Sequence, residues 1–142
     1  MSEERKIYSV EHCFGCRDGN ILKLKLKNQT IGDRSHVEFD VTEEYCGHPH
    51  VLHGGVICTL FDEVMYYAFA QFGIDAVTTA VSVRYHAPTL AGTHIILEAC
   101  QTERRGNRIK VKSEMKDTEG KLLAEAEGTF FVVDVERLIK HT

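Results

Sequence analysis

Two adjacent carboxylates, Asp62 and Glu63, sit inside HGGVICTLFDEVMYYAFA (residues 53–70), a run that is otherwise mostly apolar and opens on paired glycines. Burying a carboxylate without a partner costs several kcal/mol or forces it to take up a proton. No lysine or arginine lies between residues 51 and 83 to serve as a local counter-ion. An acid in such a place points to a functional role, against the plainer reading of a core carboxylate paired from elsewhere. Glu63 points about 100° around the helix from Asp62 and reads as a solvated or interface residue. Gly54 and Gly55 open the segment where backbone N–H groups lack intrahelical acceptors and the helix dipole is positive. Glycine there lets a substrate approach the backbone closely, although a tight turn into a helix has the same appearance. His53, just before them, could orient the loop or bond a backbone carbonyl. Arg104, Arg105 and Arg108 flank Gly106 and Asn107 in a turn, a basic tip that is either solvated or aimed at an anion.

The elements that hold these residues can be read from periodicity. ILKLKLKN puts Leu22, Leu24 and Leu26 on one face and lysines on the other, the period of a half-buried strand. HVEFDVT repeats the pattern after a turn near Gly32 and Asp33. Residues 54–72 form the one long helical candidate, with Gly73 as its stop. Four more segments rich in β-branched and aromatic residues follow: AVTTAVSVRYHAP, THIILEACQTE, RIKVKSEMKD and KLLAEAEGTFFVVDV. RRGN and DTEGK between the last three read as hairpin turns. One helix apolar on nearly every side needs wrapping, and about six strands joined by short turns form an antiparallel sheet. The fold class is therefore α+β, a curved sheet around one helix.

At 142 residues, 43% of them hydrophobic and 27% charged, the chain reads as one ordinary soluble domain, spanning 1–142. A net charge of -4 argues against a nucleic-acid surface. No stretch has signal-peptide or membrane-span length, and five cysteines without a secretion signal suggest a reducing, cytoplasmic setting. Cys13-x-x-Cys16 with His12 beside it, and Cys46, His48, His50 and His53, are zinc-ligand types, but the spacing is looser than a zinc finger's. No metal or cofactor is expected.

HGGVICTLFDE, HCFGC before the first strand, TAVSVRYHAP after the helix and ERRGNRIKVKSEMKD feeding GKLLAEAEGTF together cover nearly the whole chain. This set resembles the hotdog-fold acyl-CoA thioesterases of the phenylacetate-degradation type. The resemblance implies a central helix in an antiparallel sheet, assembled as a dimer or a dimer of dimers. It implies that the Gly54 N–H polarises the thioester carbonyl. Asp62 would be the nucleophile or the base on water, and Thr78 a hydroxyl that holds the water or the acid. His53 would border the thioester. Gly55, Tyr85 and the Arg104–Arg105–Gly106–Asn107–Arg108 tip would contact the substrate, the tip and Tyr85 through its CoA portion. One departure stands out: relatives carry an asparagine to align water where this chain has Gly47.

Two other classes share the fold. Hydratases and dehydratases of acyl thioesters place a glutamate five residues after the glycine equivalent to Gly55, where this chain has Leu60. A non-catalytic acyl-CoA sensor would have little use for Asp62. The expected activity is therefore hydrolysis of an acyl-CoA to a carboxylic acid and free CoA, with the acyl group unspecified.

Overall fold

The computed structural model describes Cys13, Phe14 and residues 29–134. The expected strand at 22–28, and His12 and Cys16 of the possible zinc set, lie outside the described residues. Strands β1 (Gln29–Ile31) and β2 (Arg34–Asp40) come first, followed by a 3-10 turn (Glu43–Tyr45) and helix α1 (Gly54–Ala70). Then come β3 (Ala76–Tyr85), β4 (His94–Arg105), β5 (Arg108–Asp117) and β6 (Leu122–Val132). All six strands form one sheet in the order β1-β2-β4-β5-β6-β3, each neighbouring pair antiparallel.

The sequence dictates this arrangement strand by strand. In β5, Ile109, Val111, Ser113 and Met115 point inward while Lys110, Lys112, Glu114 and Lys116 face solvent. The inner face wraps α1, whose Leu60, Phe61, Val64, Met65, Ala68 and Phe69 are completely buried. Each large apolar side chain removed from water contributes about 1.5–3 kcal/mol, so α1 is the hub of the core. At Gly128 the helix packs tightly on the sheet: an added Cβ would lie 3.0 Å from Met65 of α1 and 2.8 Å from Phe130 of β6. The Ser35 hydroxyl donates to the Val64 carbonyl at 2.6 Å and ties β2 to the helix.

The turns fall where glycine was expected to make them. Gly32, Gly106 and Gly120 all take positive φ in the three hairpins. The helix ends at Ala70, two residues short of the expected boundary. Gly73 at φ 78 donates its N–H to the Ala70 carbonyl at 2.9 Å, and Phe72 is left 61% exposed on the turn.

The two edges of the sheet differ. β1 supplies three residues to one edge. β3 supplies ten to the other, bonded to β6 on one side and without a strand partner on the other among the described residues. Val77 and Tyr85 on β3 are exposed, and most of its remaining residues are as well.

Candidate active site

The candidate residues other than the basic tip gather into two bonded groups where β3 meets the helix. The first is at the N-terminus of α1. His53 caps the helix in an extended conformation (φ -63, ψ 132), and its Nδ1 accepts the Gly55 N–H at 2.8 Å. Because Nδ1 is the acceptor, a neutral His53 carries its proton on Nε2, facing away from the cap. A Cβ on Gly55 would press to 2.9 Å from the His53 ring, so the cap requires glycine there. The Tyr85 hydroxyl, from the end of β3, donates to the Gly54 carbonyl at 2.9 Å. Cys58, one turn along the helix, meets the same hydroxyl at 3.2 Å. Burial, the leading cause, raises the Tyr85 phenol pKa above its ordinary 10. Among the described residues no acceptor takes the Gly54 N–H, which stays free at the positive end of the helix.

The second group is centred on Asp62. The Thr78 hydroxyl donates to Asp62 Oδ1 at 2.8 Å, joining helix to edge strand. Asp62 is half-buried in the wall of an open cleft of about 490 Å³, which Cys58, Thr59, Glu63, Thr78 and Val81 also line. Asp62 therefore keeps one oxygen bonded and has solvent-accessible space before it.

Glu63, expected as a solvated or interface residue, is not solvated. It is 7% exposed, and the Cys13 thiol donates to its Oε1 at 3.0 Å. Helical spacing offers the signal, since Glu63 follows Leu60 by three positions and so shares its buried side. The Cys58–Tyr85 contact is foreshadowed in the same way, Cys58 standing four residues after Gly54 on the same face.

The basic tip is not beside the glycines of the same chain. Strand register aligns Arg108 with Phe131 and places Ala76 opposite Val132, whereas Tyr85 lies opposite Ala124 and, across β6, level with Met115. Seven residues of strand separate the levels of Arg108 and Met115, about 23 Å. At the tip, Arg104 Nε donates to the Gly106 carbonyl at 3.2 Å and Arg105 approaches Glu103 at 3.6 Å. The Asn107 carbonyl accepts the Val132 N–H at 2.7 Å, which fixes the tip to the end of β6. Gly106 supplies the positive-φ turn.

The segment before the helix is ordered by local bonds. His50, at φ 66, pairs with Glu43, and the Cys46 thiol donates to the Thr42 carbonyl at 3.7 Å. Gly47 lies under the His53 ring, where an added Cβ would sit 2.9 Å from Cδ2. The relatives' asparagine therefore has no room here while His53 holds its cap. No three His, Cys, Asp or Glu side chains among the described residues converge as metal ligands.

Known proteins share this fold. The family model for the thioesterase superfamily matches residues 50–124, which include the glycine pivot, Asp62, Thr78, Tyr85 and the basic tip. A candidate esterase of Saccharolobus solfataricus is 30% identical over 134 residues, covering 92% of this chain and 94% of its own. An uncharacterised mitochondrial membrane protein of Saccharomyces cerevisiae is 30% identical over 89 residues, and the match spans 59% of this chain and 36% of that protein. Among solved structures, a Streptococcus mutans protein bound to acetyl CoA superposes with a TM-score of 0.73 at 20% identity, covering 78% of this chain and 90% of its own. The E. coli PaaI protein of the phenylacetic acid degradation operon superposes at 0.71 with 20% identity, covering 75% and 82%. The chain has the hotdog fold and belongs to the thioesterase superfamily.

Proposed function

We propose that this member of the thioesterase superfamily hydrolyses an acyl-CoA to a carboxylic acid and free CoA, in sites shared between two copies of the chain. The observation that carries the reading is the Thr78–Asp62 bond at 2.8 Å in an open cleft, on the helix whose N-terminus offers an unused Gly54 N–H. The acetyl CoA bound by the S. mutans structure supports the thioester class.

In this reading the thioester oxygen accepts the Gly54 N–H, backed by the helix dipole, and the carbonyl carbon becomes electrophilic. Asp62 then acts by one of two routes. As nucleophile it adds to the carbon and expels the CoA thiolate, leaving an anhydride that water opens. As general base it takes a proton from water, whose oxygen adds to the carbon before the thiolate leaves. Thr78 holds one Asp62 oxygen and leaves the other for this work. His53 presents Nε2–H beside the thioester, and Arg104, Arg105 and Arg108 meet the nucleotide phosphates, with Gly106 and Asn107 shaping the tip. No step calls for a cofactor or metal.

Sharing follows from distance. Gly54 and Asp62 are eight helical residues apart, about 12 Å, too far to act on one carbonyl. Antiparallel pairing of two β3 edges about a twofold axis sets the Tyr85 end of one strand against the Ala76 end of its partner. That brings the glycine pivot of one chain to the Asp62, Thr78 and basic tip of the other, twice over. The open β3 edge supports this pairing. Among the described residues, the free thiols of Cys46, Cys58 and Cys100 suit a reducing compartment such as the cytoplasm.

Acyl-CoAs with short, long and aromatic acyl groups, screened for release of free thiol, test the reading. Turnover of at least one class is expected. Binding without hydrolysis across the whole set would make the chain an acyl-CoA sensor instead.

A further inference from the structure

Resting on the thioesterase reading, we propose that Tyr85 is a positioning residue: by holding the Gly54 carbonyl, its hydroxyl aims the Gly54 N–H at the thioester oxygen. The expectation from resemblance alone makes Tyr85 a CoA contact. The geometry gives it a different task.

Two consecutive glycines form the most freely rotating stretch a chain can contain, which is a poor mounting for an N–H that must point one way. The peptide between Gly54 and Gly55 is planar, and it is held along both edges. Its carbonyl accepts from Tyr85 at 2.9 Å and its N–H donates to His53 Nδ1 at 2.8 Å. The preceding peptide carries the Gly54 N–H. Its carbonyl, that of His53, accepts from Ile57 at 3.1 Å, while the His53 N–H is fixed to the Tyr45 carbonyl at 2.9 Å. Every polar group around the Gly54 N–H is thus committed, and that N–H is left to the substrate.

The tyrosine spends its single proton on Gly54, so the Cys58 thiol donates its own to the phenol oxygen at 3.2 Å. A chain of donors runs from thiol to phenol to carbonyl, and through the amide to the imidazole; such chains polarise one another. With its acidity suppressed by burial, the phenol keeps its proton at any neutral assay pH. The hydroxyl also roofs Gly54, where an added Cβ would lie 3.4 Å away.

The test is Tyr85→Phe, which keeps the half-exposed ring and removes only the hydroxyl. With the best substrate of the acyl-CoA panel, kcat should fall about tenfold while KM and inhibition by free CoA stay within about twofold. Cys58→Ala, which leaves the tyrosine–carbonyl bond in place, should lower kcat by about two- to threefold. Hydrogen exchange at the amide of Gly55 should quicken in Tyr85→Phe. A raised KM with unchanged kcat would make Tyr85 a CoA contact and overturn the proposal, as would wild-type kinetics and exchange. If the wild type hydrolyses no acyl-CoA, the thioesterase reading fails, and the exchange rate alone then decides whether Tyr85 holds the peptide.

Discussion

At the scale of single residues, the two acids of α1 take different environments. Both line the same cleft, but Asp62 is half-buried and bonded to the Thr78 hydroxyl, whereas Glu63 is only 7% exposed and bonded to Cys13. Asp62→Asn keeps the shape and the Thr78 contact but removes the charge. Turnover should fall at least about 10²-fold with the thermal midpoint nearly unchanged, and a folded variant with retained activity would sink the assignment. Asp62 and the glycine pivot are legible in the chain because an uncompensated acid in an apolar helix demands a reason, and paired glycines at its start supply one. Glu63 is harder to read because its thiol partner is fifty positions away. Gly47 shows the same limit, since its constraint comes from the ring of His53 and not from its neighbours in sequence. Positions 47 and 53 are therefore coupled: restoring an asparagine at 47 displaces His53, and with it the cap on Gly55.

Between elements, the seams carry their own chemistry. His94 on β4 sits between two carboxylates of β2, with Nδ1 at 2.6 Å from Asp40 and Nε2 at 2.8 Å from Glu38. Only the protonated ring can donate to both. The hydrogen bond to Glu38, then that to Asp40, raises the His94 pKa above its ordinary 6.5, and the His94 bond in turn lowers that of Glu38. The stabilisation from His94 is thus complete below 6.5 and lost as pH rises through the raised value, while that from Glu38 is lost on acidification. The gap in thermal midpoint between wild type and His94→Gln should be widest just below 6.5 and narrow as pH increases. Both partners are largely exposed, so the gap should be small. A gap independent of pH would refute the linkage. Deeper in, Gly128→Ala would drive a methyl into Phe130 and Met65. It should cost about 1–3 kcal/mol in denaturant unfolding with an unchanged slope. Strands β2 and β5 are legible because their alternation survives folding, whereas β1 has no such pattern in the sequence and β3, mostly exposed, does not alternate. The last helical turn is not, because Gln71 and Phe72 have no helical defect and only the left-handed Gly73 ends the run.

For the molecule as a whole, the shared site has a direct check. Gly54→Pro removes the one N–H at issue in a position that favours proline, and the extended His53 before it already has the backbone that proline requires. Asp62→Asn and Gly54→Pro should each be folded and inactive. Mixed so that half of the dimers are hybrids, they should recover about a quarter of wild-type activity, since each hybrid has one intact site. Verified hybrids without activity would refute sharing. The unequal edges of the sheet carry one more consequence. A long, bare strand edge invites growth into fibres, and growth continues when one edge can be handed to the opposite edge of the next copy. Here the three described residues of β1 offer little to the ten of β3, whereas β3 matches another β3 along its whole length. In the proposed dimer, head-to-head pairing would use up both ten-residue β3 edges at once and leave neither of them for a further copy.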